Sequence, residues 1–284
     1  NINTSAGDIY LSVLISNFLE WAHQRKTIIK ADIQNLVSDT KEKIAVETAF
    51  QAVGKGLISK INWETNNYVE DYYEGKNTNP SHIAAEADYK RVKWLEIINK
   101  AVFSNKLCII KGSSGQGKSS LLFRYAHDYW LTENTYKLNV LHNLEHVEIL
   151  MQFFRQRASL GLPILVLIDN INLNLQYWGN LVEACSGFEI NFLVTIRKED
   201  WFRYGKENLQ FEVIEPLLNF EEAKEIYKLL KGNGKINTVI KSAEIAFEKI
   251  GDHKLLIEYI YLITQGEMLT ERLKDQVRQI YQSG

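Results

Sequence analysis

Five short runs of apolar and β-branched residues, separated by stretches with helical spacing, constrain this 284-residue chain more than any other feature. They are Leu107-Cys108-Ile109-Ile110, Tyr136 to Leu141, Ile164-Leu165-Val166-Leu167-Ile168, Phe192-Leu193-Val194-Thr195-Ile196 and Phe211-Glu212-Val213-Ile214. Strand alternating with helix requires crossover connections, so the runs predict an α/β fold around a five-stranded, mostly parallel sheet covered on both faces. The third run is apolar throughout, as a strand buried on both sides has to be.

The flanks read differently. From Ile9 to Trp63 the apolar residues recur every three or four positions (Leu11, Leu14, Ile15, Phe18, Leu19, Ala22, then Ile33, Leu36, Val37), which predicts two or three amphipathic helices. Asn66 to Ser81 is polar and aromatic-rich, with Gly75 and Pro80 as breakers, and reads as a linker or a loop laid over a surface. From Asn219 onward the pattern is helical only, with Asn219 and Glu222 spaced as a capping pair and Gly232, Gly234, Gly251 and Gly266 as stops. The expected division is an N-terminal helical segment and linker over 1–78, an α/β core over 79–217 and a helical lid subdomain over 218–284.

Gly112-Ser113-Ser114-Gly115-Gln116-Gly117-Lys118-Ser119 fits G-x-x-x-x-G-K-[ST] and lies between the first run and the helical Leu121 to Tyr125, the context that a phosphate-binding loop demands. Glycines let the backbone curl until successive amides converge on a phosphate, and the helix beginning near Lys118 adds its positive end. Ser114, Gly115, Gln116, Gly117, Lys118, Ser119 and Ser120 are therefore expected to hold ATP or ADP, with Lys118 reaching the β- and γ-phosphates and Ser119 ligating Mg²⁺. Asp169, at the end of the all-apolar run, is the expected second metal group. Asn170 follows it; a neutral amide orients water but is a poor general base, which predicts tight binding with slow hydrolysis. One run later, Thr195 and Arg197 project to the same side of a strand end, where both could sense the γ-phosphate. Lys118, Asp169, Asn170 and Arg197 are the catalytic candidates.

In this order the motifs resemble the STAND NTPases, the switch-like branch of AAA+-type ATPases that includes immune receptors and the bacterial antiviral (Avs-like) sensors. The matching features are the Gly112 loop, Asp169-Asn170, Thr195-x-Arg197, the step from Glu215-Pro216-Leu217 to Ala223, and Gly251 to Leu256 in place of a Gly-x-Pro-Leu-like lid motif. Asn79-Pro80-Ser81-His82-Ile83 with Asp88 and Arg91 looks like the antiviral subset. The resemblance, over roughly Pro80 to Gln282, implies a nucleotide-dependent oligomerisation switch in antiphage defence. It also implies that His82 and Ile83 line the adenine pocket, that Arg91 supports it, and that His253 and Leu255 close over base or ribose. Lys254 stands where the family has Pro. Trigger-sensing modules are not recognisable here, so they would lie in a longer protein, as the start at Asn1 without Met also suggests.

Competing readings differ in class: a catalytic P-loop enzyme, such as a small-molecule kinase or AAA+ motor, or a domain keeping nucleotide as a structural cofactor. The net charge of −2 and pI near 6.4 give no long-range pull toward nucleic acid or anionic lipid. No apolar run approaches the roughly 18 residues of a membrane span. Cys108 and Cys185, far apart in apolar stretches, read as buried hydrophobes of a reducing, cytoplasmic setting. His142-Asn143-Leu144-Glu145-His146 matches an inverted zinc-protease motif but follows a sheet strand directly, and reads as a solvated helix start. Asp71 with Glu74-Gly75-Lys76 is spaced too tightly for a nuclease metal site. Tyr68, Tyr72, Tyr73 and Trp63 are expected to pack the N-terminal helices onto the core.

Overall fold

The computed structural model describes residues 46–65, 70–159, 161, 163–204, 209–274 and 278. The helices expected between Ile9 and residue 45, and Tyr68, lie outside these residues.

Every predicted run forms a strand: β2 (Leu107–Gly112), β3 (Thr135–Leu138), β4 (Ile164–Ile168), β5 (Ile190–Arg197) and β6 (Glu212–Ile214). The sheet has one strand more than expected. Ile58–Lys60, inside the stretch read as helical, forms β1 and pairs antiparallel with β3, giving the order β1-β3-β4-β5-β2-β6 with the other neighbours parallel. At three residues β1 is too short for periodicity to distinguish, and pairing rather than pattern makes it a strand.

Helices cover both faces: α1 (Glu70–Tyr73), α2 (Pro80–Ala84), α3 (Val92–Asn105), α4 (Lys118–Tyr129), α5 (Leu144–Ala158), α6 (Trp178–Cys185) and α7 (Trp201–Tyr204). Alternation along β4 divides the core. Ile164, Val166 and Ile168 join Leu150, Phe154, Trp178 and Leu181 of α5 and α6, whereas Leu165 and Leu167 join Leu95, Ile98, Leu121 and Leu122 of α3 and α4. No β4 residue is more than 1% exposed, so truncating Val166 to Ala would remove methyl groups from a packed core at about 1–3 kcal/mol.

The C-terminal region is helical as expected: α8 (Phe220–Gly232), α9 (Ala243–Lys249) and α10 (Leu256–Gln265). The Asn219 side chain accepts the Glu222 amide and Ser242 caps α9, each worth about 1 kcal/mol. Ala223, Ile226, Tyr227, Ala246, Tyr259 and Ile263 form a core of their own, which Tyr73 and Ala87 from the segment before α3 complete. Tyr73 thus packs into the lid, and its hydroxyl donates to the Ala87 carbonyl at 2.9 Å.

Candidate functional site

Sheet register assembles the site. Gly112 at the end of β2 lies opposite Arg197 of β5, and Ile168 of β4 lies opposite Val194, so Thr195 and Arg197 stand between the loop after β2 and Asp169 after β4. The loop needs two left-handed residues, Gly115 (φ +84°) and Gly117 (φ +76°), before α4 begins at Lys118.

Short hydrogen bonds fix the polar groups. The Ser119 hydroxyl donates to Asp169 Oδ1 at 2.9 Å, and the Thr195 hydroxyl donates to the same oxygen at 2.8 Å while accepting the Asn170 amide at 2.6 Å. Lys118 Nζ donates to the Ser113 carbonyl at 2.8 Å, curled over its own loop. Its burial, and next the Arg197 charge, hold the amine below the usual lysine range. An anion between these cations would offset the Arg197 repulsion and favour the charged amine. Asn170 has φ +55°, a conformation that Asn tolerates better than most residues, so its backbone gives it a structural reason besides the functional one.

A cavity of about 460 Å³ opens above these groups. It brings together Ser114, Gly115, Gly117, Lys118, Ser119, Ser120, Asp169, Asn170, Thr195 and Arg197 from the expected set. It does not bring in His82, Ile83, Arg91, Gln116, His253 or Leu255. His82 and Ile83 are buried beneath the wall: His82 forms a capping box with Asn79 and meets the Tyr72 ring edge-on, and the Ile83 carbonyl accepts from buried Arg124. Arg91 is buried and bonded to Glu222, Gln116 turns away toward the lid, and His253 and Leu255 lie outside the lining. Lys254 donates to the carbonyls of Phe247 and Ile250 at 2.7 and 3.0 Å, so it caps the end of α9.

Sequence reasoning missed the remainder of the lining: Tyr72, Tyr73, Gly75, Lys76, Asn77 and Thr78 before α2, Lys137 of β3, and Leu256, Ile257 and Ile260 of α10. Tyr72 therefore lines the cavity, and Trp63 packs against the α3 and α4 side of the core. The aromatic richness of Asn66 to Ser81 was the available signal, and burial pushes the Tyr72 phenol above the usual tyrosine range. The other motifs fall elsewhere. His146 sits in the first turn of α5, capped by Asn143, and Asp71 and Glu74 pair with Lys76. Among the described residues no cluster of three His, Cys, Asp or Glu could hold a metal by itself.

The donor set nonetheless fits a nucleotide with its magnesium. Ser119 and Asp169 offer hard oxygens on one hydrogen-bonded line, and the left-handed Gly115 and Gly117 curl the loop that borders the cavity.

Parallel sheet, glycine loop entering α4 and the Asp169 strand end together define an α/β fold of the P-loop ATPase kind. Residues 70–209 match the family model Novel STAND NTPase 5, which supports a STAND-class, nucleotide-binding module. Among solved structures the chain is similar to a Walker-type ATPase of Pyrococcus abyssi (TM-score 0.49, 12% identity, covering 70% of this chain and 75% of that one). It is also similar to a STAND protein with a tetratricopeptide repeat sensor from Pyrococcus horikoshii (TM-score 0.45, 16% identity, 68% of this chain), of which it spans 32%. No curated protein matches. Among the described residues no helix is long and apolar enough to cross a membrane.

Proposed function

We propose that the chain is the ATP·Mg²⁺-binding switch of a longer cytoplasmic protein, in which nucleotide state sets the position of a lid over 218–284 and thereby self-association. One observation carries this reading: Lys118, the Ser119–Asp169–Thr195 line and Arg197 share a cavity whose opposite wall is α10. Lys118 leaves its Ser113 carbonyl to hold the β- and γ-phosphates, and Arg197 meets the terminal phosphate from β5. Ser119 and Asp169 would hold the metal, which would supply positive charge against the phosphates. Tyr72, Asn77 and Thr78 with Ile257 and Ile260 take the base and ribose end.

Asn170 orients water without accepting its proton, so hydrolysis is slow and loss of the γ-phosphate works as a timer for the lid. The antiphage setting rests on the resemblance of Asn79 to Ile83, Asp88 and Arg91 to the antiviral sensors. Size-exclusion chromatography with light scattering on the full-length protein, with ATP, ADP or neither, tests the switch. A larger assembly with ATP alone is expected, and an assembly state that never changes contradicts it.

A further inference from the structure

The lid grips the backbone of the phosphate loop at several points. Gly115 O accepts the Ile257 amide of α10 at 2.9 Å, and Gln116 Nε2 donates to the carbonyls of His253 and Lys254 at 3.2 and 3.4 Å. Gln116 O accepts Arg91 Nη1 at 2.9 Å. The same guanidinium forks onto Glu222 of α8, Nε to Oε1 at 2.6 Å and Nη2 to Oε2 at 2.9 Å, with 2% and 11% of the two side chains exposed. Packing is as close as the bonding: a Cβ on Gly115 would stand 2.4 Å from Ile257 Cγ2, and one on Gly117 2.6 Å from Leu256 Cδ2.

These contacts fall on the peptides whose other side faces the cavity. Movement of the 115–117 backbone toward a phosphate therefore shifts Ile257, the 253–254 turn and, through Arg91, Glu222 together. Gln116 also keeps a buried Oε1 without a partner among the described residues, so its hold on the lid turn is incompletely satisfied and can be exchanged. Asp88 fixes the segment leading to Arg91 by pairing with Arg124 of α4, the helix that the loop opens, so the arginine has a firm base.

We propose that Arg91 is a positioning residue that ties the phosphate loop to the lid. The lid then answers to what the loop amides hold, without a lid side chain reaching the phosphates. This rests on the nucleotide-binding reading of the same loop, and it gives Arg91 a role other than supporting adenine.

Hydrogen exchange by mass spectrometry tests it, using Glu222→Gln, which keeps shape and removes the charge, and Tyr89→Phe. Tyr89 also joins its segment to α8, through Glu225, but does not touch the loop. In ligand-free protein Glu222→Gln should speed exchange at Ile257 and across 113–119 by about tenfold or more, with β4 and β5 unchanged, while Tyr89→Phe leaves Ile257 as it was. Acceleration confined to the turn around Glu222, or equal loosening by the two variants, overturns the proposal. If Glu222→Gln melts without a cooperative transition, Arg91→Lys takes its place: one ammonium cannot span Gln116 O and both Glu222 oxygens, so the same loosening at Ile257 is expected, and normal exchange there overturns it. With ATP·Mg²⁺, α8 and α10 should slow in the unsubstituted chain and respond less than half as much in Glu222→Gln, although calorimetry still records uptake. A response as large as in the unsubstituted chain contradicts the coupling. A chain that takes up no ATP contradicts the nucleotide reading, and the ligand-free exchange then decides the coupling by itself.

Discussion

At one end of the cavity the wall comes from a single loop and helix start, Ser114, Gly115 and Gly117 to Ser120, joined by the ends of two adjacent strands; at the other end Tyr72, Tyr73 and Gly75 to Thr78 meet Leu256, Ile257 and Ile260 of α10. The first end is fixed by backbone conformation, two left-handed glycines and a helix start, and by a sheet register that delivers Asp169 and Thr195. The second is fixed by tertiary contacts, Thr78 with Ser120 and the Ile257 amide of α10 on Gly115 O. In the proposed binding mode the phosphate end should therefore be intolerant of substitution, and the base end adjustable.

The most severe test of that contrast is Gly117→Ala. A side chain at φ +76° costs about 1–2 kcal/mol in the backbone alone, and its Cβ would also strike Leu256, so nucleotide affinity should fall by about 100-fold or more in a calorimetric titration. Asp169→Ala comes next: it removes the acceptor shared by Ser119 and Thr195, and a loss of about 10- to 100-fold is expected with magnesium but little without it. At the base end Tyr72→Ala should weaken ATP and ADP equally, by about tenfold, because an aromatic wall contact does not see the γ-phosphate. If it discriminated between the two nucleotides, the assignment of ends would be reversed.

A smaller effect comes from pH. Binding requires the protonated Lys118 amine, whose folded pKa burial and Arg197 hold below 10.5. Affinity should therefore decline with rising pH before an ordinary lysine titrates, and equally in Tyr72→Ala. Smallest of all, Cys108 and Cys185, whose thiols burial pushes up to about 12, should leave a thiol reagent unreacted until the chain unfolds.

The same contrast explains what could be read in advance. The strands of the parallel sheet announce themselves because burial on both faces demands unbroken apolar runs, and the loop because its glycines sit at fixed spacing. Asp169, Thr195 and Arg197 follow from the order of those strands. Ile58–Lys60 did not announce itself, since three residues with one buried side carry no period. His82 and His253 stand at motif positions, yet one closes a capping box with Asn79 three residues before it and the other lies at the surface. Tyr72 lines the cavity because α10 docks opposite it, a tertiary event that no spacing shows. Arg91 belongs to the motif that carries the resemblance, but it lies outside the cavity lining, and its partner Glu222 becomes visible only when α8 is in place.

Titration of ATP·Mg²⁺ into the chain and into Lys118→Ala decides whether the loop binds nucleotide. Among the described residues the Lys118 amine makes one hydrogen bond, to its own loop, so the substitution should leave the melting temperature within a few degrees. Uptake in the micromolar range by the unsubstituted chain, with about a 100-fold or greater loss in Lys118→Ala, is the predicted result. No heat from the unsubstituted chain, or equal uptake by both, would contradict the account.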